Sequence, residues 1–446
     1  MQDPDETPAT QRWDEARARW QARDADLRAV ITWIEESRGA AAAADRRRAA
    51  GESRGPLDGA LVGLKDNIDA AGVLTTAGSA YRADHVAVSD APSVALLRRA
   101  GAVVVAKLNM AELAWGTMTQ NPWYGSCRNP WDTDRTAGGS SGGPGAALAA
   151  GYCDLALGTD TGGSVRIPAA LNGVVGLRPS VGTISTSGVV PVGRSIDTVG
   201  PMGRSAVQVA QLADALRAPD PTDPWSTVSD GLPATALIGK PLDGMRAGVA
   251  RDFFFDELDD GIGALVEDFL RWLADQGTAS AAVPDLRAAD ATEHCLRIIR
   301  CEGAAFHQER LAASPQDFSP DVRARLSSGM AVAGTDLVRS LEFRQRYRRR
   351  LAEVFDDVDV VVTPVVPVEA PVAAGESSWD PAGVLGRATV PWSLHDGPTL
   401  SLPIGFHPRS GNPVGVSLAA RRFDEATLFQ VAAAYQEATD WHTRRP

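Results

Sequence analysis

The chain has 446 residues, of which 44% are apolar and 22% are charged, with 43 glycines and 29 prolines. This composition is ordinary for a globular protein and excludes wholesale disorder. The net charge of −12 disfavours a general nucleic-acid binder, which would carry a basic face. The longest apolar stretches fall short of the ~18 residues that a membrane span requires, and the N-terminus lacks the basic and apolar regions of a secretory signal. We therefore expect a cytoplasmic protein that binds neither nucleic acid nor membrane.

The cysteines and lysines carry further information. The four cysteines form no C-x-x-C pair and predict free thiols in a reducing compartment, not a disulfide framework or a zinc site. Only three of the 44 basic residues are lysines, namely Lys65, Lys107 and Lys240. Arginine keeps its proton, whereas a buried lysine can become neutral and act as a base. A lysine retained in this arginine-rich chain is therefore a candidate base.

Helical and strand-like segments alternate in the first part of the chain. Residues 12–50 predict two helices, because tryptophan, leucine and isoleucine recur at helical spacing. Residues 38–55 lose this periodicity and predict an exposed helix end followed by a linker. LVGLK at 61–65 predicts a strand that enters a loop, and residues 91–106 predict a helix followed by a buried strand.

The alternation continues to the C-terminus. CDLALGTD predicts a strand, and VRIPAALNG predicts a short helix broken near its start by Pro168. Amphipathic helices are predicted at 258–275, 289–312, 335–356 and 425–438, and strands at 358–364, 398–406 and 413–420. The arginine-rich run at 344–350 is typical of a solvated helix face. This order of elements predicts a layered α/β fold.

The densest chemical signal lies between Gly138 and Arg166, in two glycine–serine loops, GGSSGG and GTDTGGS. Glycine allows backbone N–H groups to approach a ligand closely, and a run of such groups forms an anion-binding nest. Neither loop is followed by the lysine of a phosphate-binding P-loop, and no G-x-G-x-x-G fingerprint follows a strand. Nucleotide binding is therefore disfavoured.

Two nucleophiles are compatible with these loops. Ser140 fits the G-x-S-x-G pattern of a nucleophile elbow, which requires a strand running into the turn. The preceding NPWDTDRTA is not predicted as a strand, and no histidine lies in an informative motif, so the elbow stays an alternative. Ser164 instead follows a predicted strand and a Thr-Gly-Gly turn, where its hydroxyl would lie beside free N–H groups. Lys65 ends an apolar stretch in which burial would lower its pKa, the competing interpretation being a surface lysine at a strand end.

Three motifs together resemble the amidase signature family: GLKDN at 63–67, GGSSGG at 138–143 and GTDTGGSVRIPA at 158–169. The resemblance extends from about Leu57 onward. It implies an α/β fold, a single large domain whose central mixed, twisted β-sheet is covered by helices on both faces. Residues 1–55 would form N-terminal helices and a linker packing on the core, and residues 56–446 the amidase signature domain.

The resemblance also implies a Ser–cis-Ser–Lys triad. Ser164 would be the nucleophile, Ser140 the bridging serine after a cis peptide at Gly139, and Lys65 the base. The implied oxyanion hole consists of the backbone N–H groups of Thr161, Gly162, Gly163 and Ser164. Ser141 would support Lys65 through a hydrogen bond, and Asp160 and Arg166 would form a structural salt bridge.

The implied reaction is hydrolysis of a carboxylic amide or urea-like C–N bond to an acid and ammonia or amine, without a cofactor or a metal. The alternatives are the A-type component of a glutamine-dependent tRNA amidotransferase and a catalytically silent scaffold protein. No carboxylate-clamping motif matches that A-type component. The expected partner is a small-molecule amide, and a homodimer stays open.

Two loops, 117–125 and 390–398, are implied as walls of the acyl pocket, and the 301–307 stretch is a third candidate wall. Their aromatic residues would shape an aryl or apolar site, although aromatic residues equally often fill a core. The candidates are Trp123, Tyr124, Trp392 and His395.

Overall fold

A mixed sheet runs through the molecule, in a computed structural model that describes residues 7–373 and 383–446. Within those residues it has eleven strands. In spatial order they are β1 (Val30–Trp33), β3 (Val103–Leu108), β2 (Leu61–Lys65), β8 (Leu155–Asp160), β10 (Thr198–Gly203), β9 (Val175–Arg178), β14 (Thr399–Phe406), β15 (Pro413–Ala420), β13 (Val360–Pro364), β11 (Arg246–Val249) and β12 (Ala279–Ala281). Two small hairpins lie outside the sheet, β4 (Gln120–Asn121) with β5 (Gly125–Ser126) and β6 (Arg128–Asn129) with β7 (Asp132–Thr136).

The direction of the strands changes across the sheet. β3, β2 and β8 are parallel neighbours, as are β13, β11 and β12. The strands between these two groups are antiparallel, and β1 pairs antiparallel with β3 at the edge. Parallel strands require helical crossovers, and these crossovers place helices over the sheet.

Helices cover both faces of the sheet. They are α1 (Ala9–Leu27), α2 (Ser37–Ala49), α3 (Pro92–Arg99), α4 (Gly142–Ala150), α5 (Arg166–Asn172), α6 (Ala206–Leu216), α7 (Asp260–Asp275), α8 (Ala288–Ala313), α9 (Pro320–Met330), α10 (Gly334–Asp357) and α11 (Glu425–Ala438). Because strand side chains alternate between faces, Val62 and Leu64 pack with α3, α6, α7 and α11, whereas Leu61 packs with α1, α2 and α4. Val361 packs with α8, α9 and α10. The predicted α/β fold with a central mixed sheet between helices is confirmed, while the division at residue 55 stays a prediction.

Several local expectations were wrong. β1 lies between the two predicted N-terminal helices, and β9, β10, α6 and α9 were not predicted. Pro168 does not break α5, because it is the third residue of the helix, where no intrahelical N–H partner is required. Residues 132–136 do form a strand, β7, although it pairs only with β6 and lies outside the central sheet.

The arginine-rich run on α10 is only partly solvated. Arg344 is buried and forms an ion pair with Asp396 at 3.0 Å, and Arg348 contacts the same carboxylate. The four cysteines are free thiols, as predicted. No helix in the described parts of the chain is long and apolar enough to cross a membrane.

Candidate active site

The candidate site lies where two parallel strands end. β2 ends at Lys65 and its neighbour β8 ends at Asp160, with Leu64 paired to Leu157. The carboxyl ends of parallel strands lie at the same edge of a sheet. The loop that follows β8 and carries Ser164 therefore begins beside Lys65.

Lys65 is completely buried and contacts two hydroxyl groups. Its Nζ lies 2.7 Å from Ser140 Oγ and 2.7 Å from Thr159 Oγ1. The Gly139–Ser140 peptide bond is cis, as the family resemblance implied. The side chains of Lys65 and Ser140 thus meet in a site closed to bulk water.

Burial lowers the pKa of Lys65 to about 7, an effect that the charges of Asp160 and Asp197 oppose. A lysine in water has a pKa of about 10.4 and is an ammonium ion at neutral pH. Near pH 7 this amine exists in comparable amounts of its neutral and charged forms. The neutral form has a lone pair that can accept a proton from Ser140.

The loop that carries Ser140 is fixed by backbone contacts. Thr119 Oγ1 donates to the Gly138 carbonyl at 2.8 Å and accepts from the Gly142 N–H at 3.1 Å. The Ala111 N–H donates to the Ser140 carbonyl at 3.1 Å. These contacts hold the Ser140 hydroxyl at the Lys65 amine before any substrate binds.

Asp160 organises the loop of Ser164. Its carboxylate accepts from the N–H groups of Gly163 at 2.9 Å and Val165 at 3.1 Å. It also forms ion pairs with Arg166 at 2.9 Å and Arg178 at 3.4 Å, all of these side chains being fully buried. The expected Asp160–Arg166 salt bridge is therefore present, and Arg178 is a second partner that the sequence did not indicate.

Two further contacts fix the same loop. Thr161 Oγ1 donates to Asp197 at 2.5 Å, and Thr389 Oγ1 donates to the Gly162 carbonyl at 2.7 Å. Gly163 has a φ of +128°, and a Cβ at this position would lie 2.1 Å from Thr389 Oγ1. Only glycine fits here, because the backbone conformation and the close approach of Thr389 both exclude a side chain.

One of the expected oxyanion donors is already occupied. The Gly163 N–H donates to Asp160, so this group was wrongly assigned to the oxyanion hole. The N–H groups of Thr161, Gly162 and Ser164 remain as donors at the same turn. The Ser164 hydroxyl has no hydrogen-bond partner among residues 7–373 and 383–446, and it opens onto a cavity.

This cavity has a volume of about 590 Å³. Its wall is largely apolar, and the apolar side chains are Trp115, Ile167, Val192, Phe253, Leu296, Ile299 and Val390. Three arginines also line it, Arg300, Arg325 and Arg387, and none of the described lining residues is acidic. The space is suited to a small substrate with an apolar part.

The four aromatic residues expected in the pocket do not line this cavity. Trp392 and His395 are buried in the core, where they pack against Phe254 and Phe355. Trp123 is exposed and donates to Glu112, and Tyr124 lies beside it. The two expected loops do reach the cavity, but through other residues, Thr117 and Val390.

Helix α8 is also a wall, as expected, but the contacting residues lie before the 301–307 stretch. They are Thr292, Leu296, Ile299 and Arg300. Glu302 instead accepts hydrogen bonds from Ser195, and His307 packs against Tyr81 and Phe318. The faces of α8 could not be assigned without knowledge of its packing.

Ser141 does not support Lys65 directly, contrary to expectation. Its hydroxyl donates to the Thr159 carbonyl at 3.2 Å, while Thr159 Oγ1 contacts the amine. Asn67 Nδ2 in turn donates to Thr159 Oγ1 at 3.2 Å. Sequence reasoning missed Thr159, Asn67, Asp197 and Thr389. For the first two, the parallel pairing of β2 and β8 would have been the signal.

The chain is similar to known amidases over nearly its whole length. The sequence model of the family described as Amidase matches residues 14–429. The A-type component of the Glutamyl-tRNA(Gln) amidotransferase of Chloroflexus aggregans is 36% identical over 455 residues, covering 96% of this chain and 93% of that protein.

Solved structures agree. A chain from a vestigial protein complex, reported to reveal the origins of an s-triazine catabolic enzyme, superposes with a TM-score of 0.91 at 35% identity, covering 97% of this chain and 95% of that one. A peptide amidase in complex with the competitive inhibitor chymostatin has a TM-score of 0.85 at 30% identity, covering 98% and 95%.

Proposed function

The chain belongs to the amidase signature family and is an amide-cleaving enzyme, and we propose that it acts through an acyl-enzyme on Ser164 with Ser140 and Lys65 as the proton relay. The observation that carries this proposal is the 2.7 Å contact between Lys65 Nζ and Ser140 Oγ in a fully buried site. A lysine buried beside a serine, with a nucleophile candidate on the neighbouring loop, is typical of an activated serine.

The first step is proton transfer. Neutral Lys65 accepts the proton of Ser140, while Ser140 accepts the proton of Ser164. The Ser164 oxygen attacks the amide carbonyl, and a C–O bond forms as the carbonyl π pair moves onto oxygen. The contact between Ser140 and Ser164 is completed when substrate is bound, since catalytic hydrogen bonds are often long in a free enzyme.

The developing oxyanion binds the N–H groups of Thr161, Gly162 and Ser164. Each is held in place before the reaction, because Asp197 and Thr389 fix the loop. A preorganised donor of this kind contributes about 3 kcal/mol to transition-state stabilisation.

The relay then runs in reverse. The Lys65 ammonium returns its proton through Ser140 to the leaving nitrogen, and the C–N bond breaks to release ammonia or amine. Water, deprotonated through the same pair, attacks the ester and releases the acid and Ser164. Every proton taken up is returned, so the cycle requires no further reactant.

The proposal is tested by labelling with a fluorophosphonate and by ammonia release from simple amides. We expect the reagent to label Ser164, and Ser164→Ala to lose both labelling and activity. Labelling at Ser140 would instead support the elbow alternative. Full activity in Ser164→Ala would contradict the mechanism.

A second setting for this chemistry is the A-type component of a glutamine-dependent tRNA amidotransferase, which supplies ammonia within a complex. The relatives favour it, because a protein of this kind is 36% identical over 96% of the chain. In this setting glutamine is the amide, and partner proteins receive the ammonia. A stand-alone amidase is supported by the likeness to the peptide amidase structure.

The purified chain distinguishes these settings. A stand-alone amidase hydrolyses alkyl or aryl amides without a partner, whereas an A-type component favours glutamine and gains activity when co-purified partners are retained. A silent scaffold protein would show neither activity nor labelling. Light scattering on the same sample tests the homodimer.

A further inference from the structure

The charges around the catalytic cavity are of one sign. Arg300 and Arg325 lie on α8 and α9, and Arg387 lies on the opposite loop, while no described lining residue is acidic. An apolar cavity that contains only cationic side chains attracts a ligand with an anionic group. The question is which arginine is available to that group.

Arg387 is largely neutralised by its neighbours. It lies 3.4 Å from Asp256 and 3.3 Å from Glu257, and its guanidinium stacks 4.8 Å from the centre of the Phe253 ring. Its charge is therefore directed toward the rim of the cavity. The remaining two arginines lie together on the other side.

Helices α8 and α9 are in close contact at Arg300. A Cβ at Gly329 would lie 2.0 Å from the Arg300 carbonyl oxygen, so the two backbones touch there. Arg325 lies one helical turn before Gly329 and thus on the same face of α9. The two guanidinium groups are consequently neighbours in the cavity wall.

The surroundings of these two groups differ. Burial lowers the pKa of Arg325 to about 10, Asp321 opposes this and Arg300 adds to it. The Arg300 guanidinium forms no hydrogen bond or ion pair with residues 7–373 or 383–446. It is a half-buried positive charge beside a second one, an arrangement that a bound anion would stabilise.

We propose that the substrate is an amide whose acyl part carries a carboxylate, which binds Arg300 with the support of Arg325. This inference rests on the proposed function, because it places the amide at Ser164. Guanidinium binds a carboxylate through two parallel hydrogen bonds, so the pair fixes orientation as well as charge. The apolar wall formed by Leu296 and Ile299 lies beside Arg300 on α8 and would contact the methylene spacer.

The test compares two primary amides of equal backbone length, glutaramate with its terminal carboxylate and pentanamide without one. We expect kcat/KM to be at least about tenfold higher for glutaramate, the size of one charge-assisted contact. Succinamate and adipamate, one methylene shorter and longer, report the spacing. Equal kcat/KM for glutaramate and pentanamide would overturn the inference while leaving Ser164 chemistry intact.

Variants locate the contact. Arg300→Met is expected to lower kcat/KM for glutaramate at least about tenfold and to leave pentanamide unchanged, whereas Arg300→Lys retains part of the preference. Arg323→Met is the matched control, because Arg323 lies on α9 but not in the cavity wall. An equal loss for both amides in Arg300→Met would contradict a charge contact.

Binding is also measured without catalysis. Glutaramate is titrated calorimetrically into Ser164→Ala and into the same protein with Arg300→Met. Binding that is lost with Arg300 supports the carboxylate site, and binding that is unaffected overturns it. Failure of fluorophosphonate labelling in the wild type would instead contradict the proposed function, so the two failures are distinguishable.

Discussion

Thr159 Oγ1 lies 2.7 Å from Lys65 Nζ, the same distance that separates this amine from Ser140 Oγ. Asn67 also donates to Thr159 Oγ1, so this hydroxyl acts as an acceptor. With one amine N–H directed to Thr159, the lone pair of neutral Lys65 is free to face Ser140. Thr159 is thus a positioning residue for the base.

Thr159→Val removes this acceptor at nearly constant volume. We expect kcat to fall about tenfold, because the amine loses its orientation. The acid limb of the pH–rate profile shifts to lower pH, since the ammonium form loses a hydrogen bond that stabilises it. Thr183→Val is the control, a buried threonine that donates to Ser180. A fall in kcat without a shift of the limb would indicate a structural role only.

The pH dependence follows from Lys65, whose pKa burial lowers to about 7. The active form is the neutral amine, so activity rises with pH through that value and levels off above it. Lys65→Arg and Lys65→Ala are both expected to lose activity by a factor of about 10³ or more, because guanidinium keeps its proton. Retention of most activity in Lys65→Arg, measured as ammonia release, would show that a positive charge suffices.

Asp160→Asn tests the buried ion pairs behind the nucleophile. The variant leaves Arg166 and Arg178 buried with a neutral partner, and breaking such a pair costs about 3–5 kcal/mol of unfolding free energy. Asp336→Asn, which breaks an exposed pair with Arg339, is expected to cost less than about 1 kcal/mol. Denaturant unfolding measures both. Equal costs would mean that burial is unimportant here.

The same carboxylate gives stability a pH dependence. Burial alone would raise the pKa of Asp160, but Arg166 and Arg178 hold it below its ordinary range. A carboxyl group of this kind contributes stability above its unfolded pKa of about 3.9, and the contribution is lost as the pH falls further. We expect acid unfolding of Asp160→Asn to lack this component.

Gly163→Ala tests the close approach of Thr389. The new Cβ would lie 2.1 Å from Thr389 Oγ1, and the φ of +128° is unfavourable for alanine. We expect kcat to fall at least about 100-fold, because the loop must move away from the oxyanion position. Gly239→Ala also has a positive φ, +76°, but contacts nothing within 4 Å. Comparable kcat losses in both variants would exclude the steric explanation.

The sequence was sufficient for the elements whose signal is local. α11 and β15 lie where periodicity placed them, because one face of each is apolar along its length. Lys65 and the two glycine–serine loops were found because their spacing is itself a motif. β1 was missed because it is short and half-buried, so its pattern does not differ from that of the flanking helices.

The partners of the site residues could not be found in this way. Arg344 lies in a run of arginines that look equivalent in sequence, yet only packing decides that it turns inward to Asp396. Arg300 and Arg325 were likewise indistinguishable from solvated arginines. Thr389 is 226 residues from Gly163, and no local pattern links them. Such contacts depend on tertiary topology.

The tie between Thr389 and the nucleophile loop has a consequence for synthesis of the protein. Lys65, Ser140 and Ser164 leave the ribosome within the first 164 residues. Thr389 accepts from Arg166 at 2.8 Å and donates to Gly162, and Ser393 also accepts from Arg166, so the loop gains its final support only when residues 389–393 emerge. Because translation proceeds at about 5–20 residues per second, the growing chain carries its reactive serines for many seconds before they are held in a working geometry.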